Sequence, residues 1–278
     1  MNRSELARHL MPPVRADAAS WELFHENSKA GRYDDYPPVE VINQQMERMV
    51  QSLDFDQYPA VPLPATGEPA AMPLAEAITA RTSGRSMQPE RLSLGQIATL
   101  LHHAYGVTRD NYGTRFPRPF RSVPSGGALY PLELFLHTSR VKDLDPGIYH
   151  YNPLRNELRS IRYGDESRQI SEALVQRNYA IDASAMIFVT AVFERSIFKY
   201  GDRGYRFALI EAGHVGQNLA LTATALGLAC LTIGGYSDRA IDTLLGLDGL
   251  WHGTVYMAAI GAPGEEDVVD DYGGGGLT

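Results

Sequence analysis

The chain has a single cysteine, Cys230, in 278 residues. One thiol excludes an intrachain disulfide and any metal site built from several cysteines. It lies in the apolar run Leu226-Gly-Leu-Ala-Cys-Leu231, which predicts a packed core thiol rather than a nucleophile. Basic charge is also scarce: 25 Lys and Arg against 33 Asp and Glu leave a net charge of −8. That balance argues against a general nucleic-acid or acidic-membrane surface, so an anionic ligand needs a local arginine cluster. No uninterrupted apolar run reaches the roughly 18 residues of a membrane-spanning helix. The segment Met1-Asn-Arg-Ser-Glu-Leu-Ala-Arg8 lacks the apolar core of a signal peptide, so a cytoplasmic protein is expected. His102 and His103 are adjacent and cannot share a helix face as a metal pair would, so they read as structural or surface residues and no metal is expected.

What is present is ordinary for a globular chain: 44% hydrophobic and 21% charged residues, enough for a sizeable core. Residues 1–73 read as an arm. Trp21–Lys29 is a short amphipathic helix candidate with Ser20 as its N-cap, and Val41–Leu53 is a second. Pro59, Pro62, Pro64, Pro69 and Pro73 then make a stiff connector. Such an arm packs either over a partner subunit or around its own domain. Residues 74–264 form the main domain, and the Gly-rich residues 265–278 a flexible tail.

Within the domain, Ser93 caps a helix running to Tyr105, with Gly106 as its C′ stop. Strands are expected at Leu132–His137, Ala185–Phe193, Leu228–Ile233 and Thr254–Ile260, and a hairpin at 147–163 around Asn152-Pro153. Helices are expected over Asp165–Asn178, Tyr205–Leu226 and Asp238–Leu245, the last capped by Ser237. The long one carries a small-residue stripe, Ala208, Ala212, Gly216, Ala220 and Ala223, which lets another helix approach closely; Glu211, His214, Gln217 and Asn218 are its polar exceptions. The class is α+β, with an apolar sheet and at least one buried helix.

Three stretches are candidates for chemistry. Arg121-Ser-Val-Pro-Ser-Gly-Gly-Ala-Leu-Tyr-Pro131 reads either as a tight turn before a strand or as a loop that holds a flat or anionic ligand by main chain. In Arg81-Thr-Ser-Gly-Arg85, an extended backbone puts Arg81, Ser83 and Arg85 on one face, suited to a phosphate or a carbonyl-rich ring edge; a solvated loop is the alternative. Arg109, Arg115, Arg118 and Arg121 form either a basic mouth or a solvated loop, with Tyr112, Phe116 and Phe120 interleaved.

In chain order, Arg81–Arg85, Pro124–Pro131, Gly147–Tyr151, Glu211-Ala-Gly-His-Val-Gly-Gln-Asn218, Gly227-Leu and Ile233-Gly-Gly-Tyr236 resemble the nitroreductase-fold flavoproteins. More closely, the set is similar to the SagB-type branch, azoline dehydrogenases that make thiazole and oxazole rings in modified peptides. Phe24-His-Glu-Asn-Ser-Lys29 is similar to that branch's N-terminal region. The resemblance implies a central, mainly antiparallel sheet flanked by helices, in a domain-wrapped homodimer with FMN at the subunit interface. It implies that Arg81, Ser83 and Arg85, with Thr82 among them, contact phosphate, ribityl chain and pyrimidine edge. Pro124, Ser125, Gly126 and Gly127 match a loop that packs on the flavin, in relatives often from the opposite subunit. Gly234 and Gly235 match the backbone turn near the reactive flavin nitrogen. Gly264-Glu-Glu-Asp267 stands where many such proteins place a basic phosphate contact, so the arginines must carry the phosphate.

Lys199-Tyr200 stands where azoline dehydrogenases carry a Lys-Tyr pair. Oxidising an azoline removes a proton from carbon and a hydride to the flavin. A phenol is a poor base at neutral pH unless a neighbouring ammonium favours its anion, and a desolvated lysine is itself a base, so either residue fits the role. The implied function is an FMN-dependent oxidoreductase acting on a peptide or carrier-bound azoline, with oxygen restoring the flavin and a cyclase or synthetase as partner. Two alternatives stand beside it: an NAD(P)H-dependent nitro- or quinone reductase, and a catalytically silent flavoprotein scaffold in a peptide-modifying complex.

Overall fold

Ala185-Met-Ile-Phe-Val-Thr-Ala-Val192 is apolar on both faces, and a strand of that kind needs cover on both. The computed structural model describes residues 20–29, 37–65, 67–113 and 117–265. The arm contributes helices α1 (Ser20–Asn27) and α2 (Val39–Arg48) and strand β1 (Ala60–Pro62). Next come α3 (Leu74–Ala80), β2 (Met87–Gln88), α4 (Leu94–Tyr105), β3 (Val107–Arg109) and β4 (Phe120–Arg121). A single 3-10 turn, Gly126–Ala128, leads to β5 (Leu132–Thr138), β6 (Gly147–Asn152) and β7 (Glu157–Tyr163). Helices α5 (Ser167–Ala173) and α6 (Asn178–Asp182) precede β8 (Ala185–Val192). The chain closes with α7 (Glu194–Tyr200), α8 (Asp202–Ala225), β9 (Ala229–Ile233), α9 (Asp238–Leu245) and β10 (His252–Pro263).

Eight strands form one sheet in the order β1-β7-β6-β5-β8-β10-β2, with β9 also on β10. The ladders between named strands are antiparallel. β8 holds the middle, flanked by β5 and β10, and one apolar cluster covers each face. On one face α8 lays Ala208, Ala212, Ala220 and Ala223 into the core, where α4 packs beside it. The helix admitted by the small-residue stripe is therefore the chain's own α4. Gly216 meets the sheet instead: a Cβ there would stand 2.5 Å from the Tyr256 ring. His103, exposed on α4, accepts from Asn218 Nδ2 through its carbonyl at 3.0 Å.

Several expectations are corrected, the first by contacts distant in sequence. The helix expected over Asp165–Asn178 forms only as α5, and α6 begins where that span ends. Between them Leu174 bridges Tyr236, and Val175 N–H donates to the Gly235 carbonyl. α4 carries the expected Ser93 cap, as a capping box with Gln96. Gly106, however, has φ −69 and is no left-handed stop. A Cβ there would come within 2.4 Å of His102 Nδ1, so glycine is needed for space. In the arm, α2 ends at Arg48 rather than Leu53, and Ser20 is inside α1 rather than capping it.

Of the arginines in the 109–121 stretch, Arg109 is exposed over the Phe120 ring, whereas Arg118 and Arg121 serve neither a basic mouth nor a solvated loop. Arg118 and Arg121 are buried and donate to the arm's Met46 and Gln51 carbonyls. Arg115 and Phe116 lie outside the described residues, as does the tail from 266. With β1 paired to β7, these contacts wrap residues 39–63 around the chain's own domain. Cys230 is buried in β9, and burial pushes its thiol up to about 12. No helix among the described residues is long and apolar enough to cross a membrane.

Candidate functional site

The Pro124–Pro131 stretch is a loop under strain. Gly127, Ala128 and Tyr130 have φ of 67, 53 and 47, and left-handed backbone costs a non-glycine residue on the order of 1–3 kcal/mol. Surrounding bonds hold it there. Ser125 Oγ accepts from Tyr130 N–H at 2.9 Å, and Tyr130's hydroxyl accepts from Arg121 N–H at 3.0 Å. The Arg121 guanidinium sits over the Tyr105 and Tyr130 rings, 4.3 and 5.0 Å from their centroids.

That shape brings the loop against Lys199 and Tyr200. A Cβ on Gly127 would lie 2.6 Å from the Tyr200 hydroxyl and 3.0 Å from Lys199 Nζ. A Cβ on Gly126 would lie 2.9 Å from the Phe207 ring, which stands edge-on to Tyr200 with centroids 5.1 Å apart. Lys199 Nζ lies 5.2 Å from the Tyr200 ring centroid. Two glycines, a lysine and a tyrosine separated by some seventy residues thus make one cluster.

α7 is fixed by a buried ionic knot. Arg195 and Glu133 form an ion pair at 2.6 Å, and His150 Nε2 lies 2.7 Å from the same carboxylate. Leu53 N–H and the Ser52 hydroxyl donate to it from the arm, at 2.8 and 3.3 Å. Burial pushes the Glu133 carboxyl up, but the Arg195 guanidinium and His150 outweigh it and hold it far below the usual carboxylate range. Glu211 on α8 is the opposite case. Burial raises it to about 7, only partly offset by Ser125, the Tyr105 hydroxyl, Arg121 and Arg195. Glu211 stood in the sequence as a polar exception on an apolar helix; Glu133 and Arg195 carried no signal beyond charge inside or beside apolar runs.

The second cluster lies elsewhere. Gly84 N–H donates to the Cys230 carbonyl at 3.0 Å, which sets Arg81–Arg85 along β9. Ser86 accepts from Gly264 N–H at the end of β10. Thr82, Ser83 and Arg85 are exposed and Arg81 half-buried. Among the described residues, no carboxylate pairs with either arginine. Cations and hydroxyls left unpaired in an acidic chain suit a phosphate. Gly234 and Gly235 follow β9, both exposed. A Cβ on Gly234 would meet nothing, so intramolecular crowding is not what calls for glycine there.

Strand register separates the clusters. Cys230 lies opposite Ile260, whereas Val192, just before α7, lies opposite His252. Eight residues of β10 span roughly 27 Å at about 3.3 Å each. Ile233 pairs with Met257, so Gly234 falls between the two ends. The structure brings Gly126, Gly127, Lys199 and Tyr200 together, and Arg81–Arg85 beside β9, but not the two groups to each other. No group of three or more metal-ligating side chains occurs among the described residues.

Comparison with known proteins gives consistent matches. The sequence profile of the nitroreductase family matches residues 78–262. MJ1384 of Methanocaldococcus jannaschii, a nitroreductase by name, is 33% identical over 172 residues, covering 62% of this chain and 83% of that protein. The microcin B17-processing protein McbC of Escherichia coli is 34% identical over 169 residues, covering 57% of this chain; the chain spans 58% of McbC's length. Among solved structures, the Escherichia coli microcin synthetase McbBCD complex with truncated pro-MccB17 bound contains a chain that superposes with a TM-score of 0.55. That superposition, at 23% identity, covers 94% of this chain and 87% of the other, and it speaks for the fold.

Proposed function

The chain belongs to the nitroreductase family, whose members are oxidoreductases, and from that premise we propose that it is an FMN-dependent dehydrogenase of azoline rings. Its substrate is a peptide or carrier-bound azoline, which it oxidises to the azole. The observation that carries this reading is the seating of Gly127 against Lys199 Nζ and the Tyr200 hydroxyl. Azoline oxidation removes one proton and one hydride from the ring. FMN, when bound, supplies the hydride acceptor, and oxygen takes the electrons in turn. The protein's own task is the proton. Lys199 and Tyr200 stand at a strained loop, side by side: one takes the proton and the other orients it. Both clusters suit the cofactor. Arg81 and Arg85, with Thr82 and Ser83, hold phosphate and ribityl chain; Gly234 and Gly235 leave room for the ring. Pro124, Ser125, Gly126 and Gly127 cover a ring without adding charge.

The separation of the clusters supports a homodimer, in which one copy's arginines and another's Lys199–Tyr200 loop complete each site. The exposed apolar residues Tyr205, Leu209 and Ile210 on α8 suit such an interface. McbC's occurrence with a synthetase and its pro-peptide supports a peptide substrate and a cyclase or synthetase partner for this protein too.

The test is spectral, then kinetic. Purified protein releases FMN on denaturation, and a model azoline bleaches it anaerobically. Arg81→Ala loses the cofactor, whereas Lys199→Ala keeps it and loses turnover. Rapid bleaching by NADPH with no azoline oxidised overturns the dehydrogenase reading in favour of a nitro- or quinone reductase.

A further inference from the structure

Ser125 stands between two buried groups. Its Oγ accepts the Tyr130 N–H at 2.9 Å, and its hydroxyl stands close enough to the Glu211 carboxyl to favour the anion. Glu211, 2% exposed, accepts the Tyr105 hydroxyl on Oε1 at 2.8 Å. The Tyr105 oxygen accepts Leu132 N–H at 3.1 Å, where β5 begins. Polar contacts therefore run from the core of α4, through α8, to the loop facing Lys199 and Tyr200.

A serine hydroxyl has one hydrogen to give and two lone pairs to receive with. With Glu211 ionised, Ser125 and Tyr105 both donate to it, and the serine hydrogen is committed inward. With Glu211 protonated, Tyr105 still donates to one oxygen while the other, now O–H, donates to Ser125 Oγ. The serine hydrogen is then free to turn to the exposed side of the loop. We propose that Glu211 is a positioning residue whose own protonation sets the direction of the Ser125 hydroxyl, and with it how strongly the 124–127 loop holds its ligand. This rests on the reading of that loop as the cover of a flavin.

The charged and titratable groups around the carboxyl come from every neighbouring element. Arg121 on β4 and Arg195 on α7 favour its anion, while Tyr105 on α4 donates to it. Tyr130 on the loop feels its charge, and Glu133 on β5 lies close enough to act on Tyr105. Burial outweighs the two arginines, and the carboxyl titrates at about 7, so both serine orientations are populated around neutral pH.

The experiment measures FMN affinity by flavin fluorescence across neutral pH in wild type, Glu211→Gln and Ser125→Ala. One released donor makes wild type bind roughly three- to tenfold tighter on the acid side, with the inflection near 7. Glu211→Gln, whose amide donates to Ser125 and accepts from Tyr105, binds at every pH as wild type does at the acid end. Ser125→Ala binds at the weaker level throughout. Infrared titration of the apoprotein adds a readout independent of flavin: a protonated-carboxyl band appears through the same pH range in wild type and Ser125→Ala but not in Glu211→Gln. A flat wild-type affinity, an inflection that survives in either variant, or no such band overturns the proposal. Failure of all three proteins to bind FMN at any pH instead sinks the flavin reading, and this proposal with it.

Discussion

Gly127 is asked to do two things, and a pair of substitutions separates them. Its φ of 67 disfavours a side chain on backbone grounds alone, and a Cβ would press on Tyr200 and Lys199. Gly246, at the end of α9, has φ 74 and open space around the same position. Gly246→Ala therefore costs only the left-handed backbone, about 1–2 kcal/mol. Gly127→Ala costs about the same in stability, because the atoms it strikes are tips of side chains that can swing away. In a chain of this size each kcal/mol lowers Tm by roughly 2–4 °C, so calorimetry should show two similar downward shifts. Turnover should divide the pair. The Tyr200 hydroxyl must retreat from 2.6 Å to an ordinary contact of at least 3.4 Å. A misplacement of about 1 Å at a reacting group costs up to roughly 100-fold in rate. Gly127→Ala should lose most of its azoline oxidation with FMN still bound, while Gly246→Ala keeps wild-type turnover. Equal turnover in the two variants refutes the reasoning, since the Lys199–Tyr200 cluster would then tolerate displacement.

Two further outcomes follow from the buried charges. Arg195→Met strands the Glu133 carboxylate beside His150 and should cost about 3–5 kcal/mol in urea unfolding, while Glu133→Gln/Arg195→Met together should cost less; a single-variant loss below about 1 kcal/mol contradicts the ionic knot. His137 is 1% exposed, and burial pushes its pKa from 6.5 down to about 4, against the pull of Asp165. Its neutral ring therefore adds stability above pH 6.5 that is lost as pH falls toward 4, a loss of about 3 kcal/mol. Over that window wild type should weaken more steeply than His137→Gln, and parallel curves refute the assignment.

Much of the fold was legible because the signals were local. Apolar runs such as Ala185–Phe193 marked the strands, and Ser93 marked the start of α4. What escaped depended on pairings across the chain. Nothing local says that Leu174 and Val175 leave a helix to meet Tyr236 and Gly235. Nothing local turns Arg118 and Arg121 inward, since the Met46 and Gln51 carbonyls they reach lie some seventy residues away. Motif order led to the Gly127 and Lys199 stretches, and three dimensions joined them. Glu211 was visible as a polar residue on a buried helix, but Tyr105 and Ser125, which give it a role, reach it only in the folded chain.

The sheet's margins bear on how copies of this chain can meet. β1 is three residues long and ends in Pro62, which has no N–H to offer a neighbour. At the far side β2 has two residues, and Gly84 already occupies the Cys230 carbonyl on β9. Among the described residues, the β1 margin is too short and proline-ended to present a long run of free donors and acceptors, the feature that invites strand-on-strand aggregation. The Pro-rich connector thus acts as a selvedge, closing the weave at one border. In the homodimer proposed above, a partner would dock on helical surfaces without extending the sheet into a fibre.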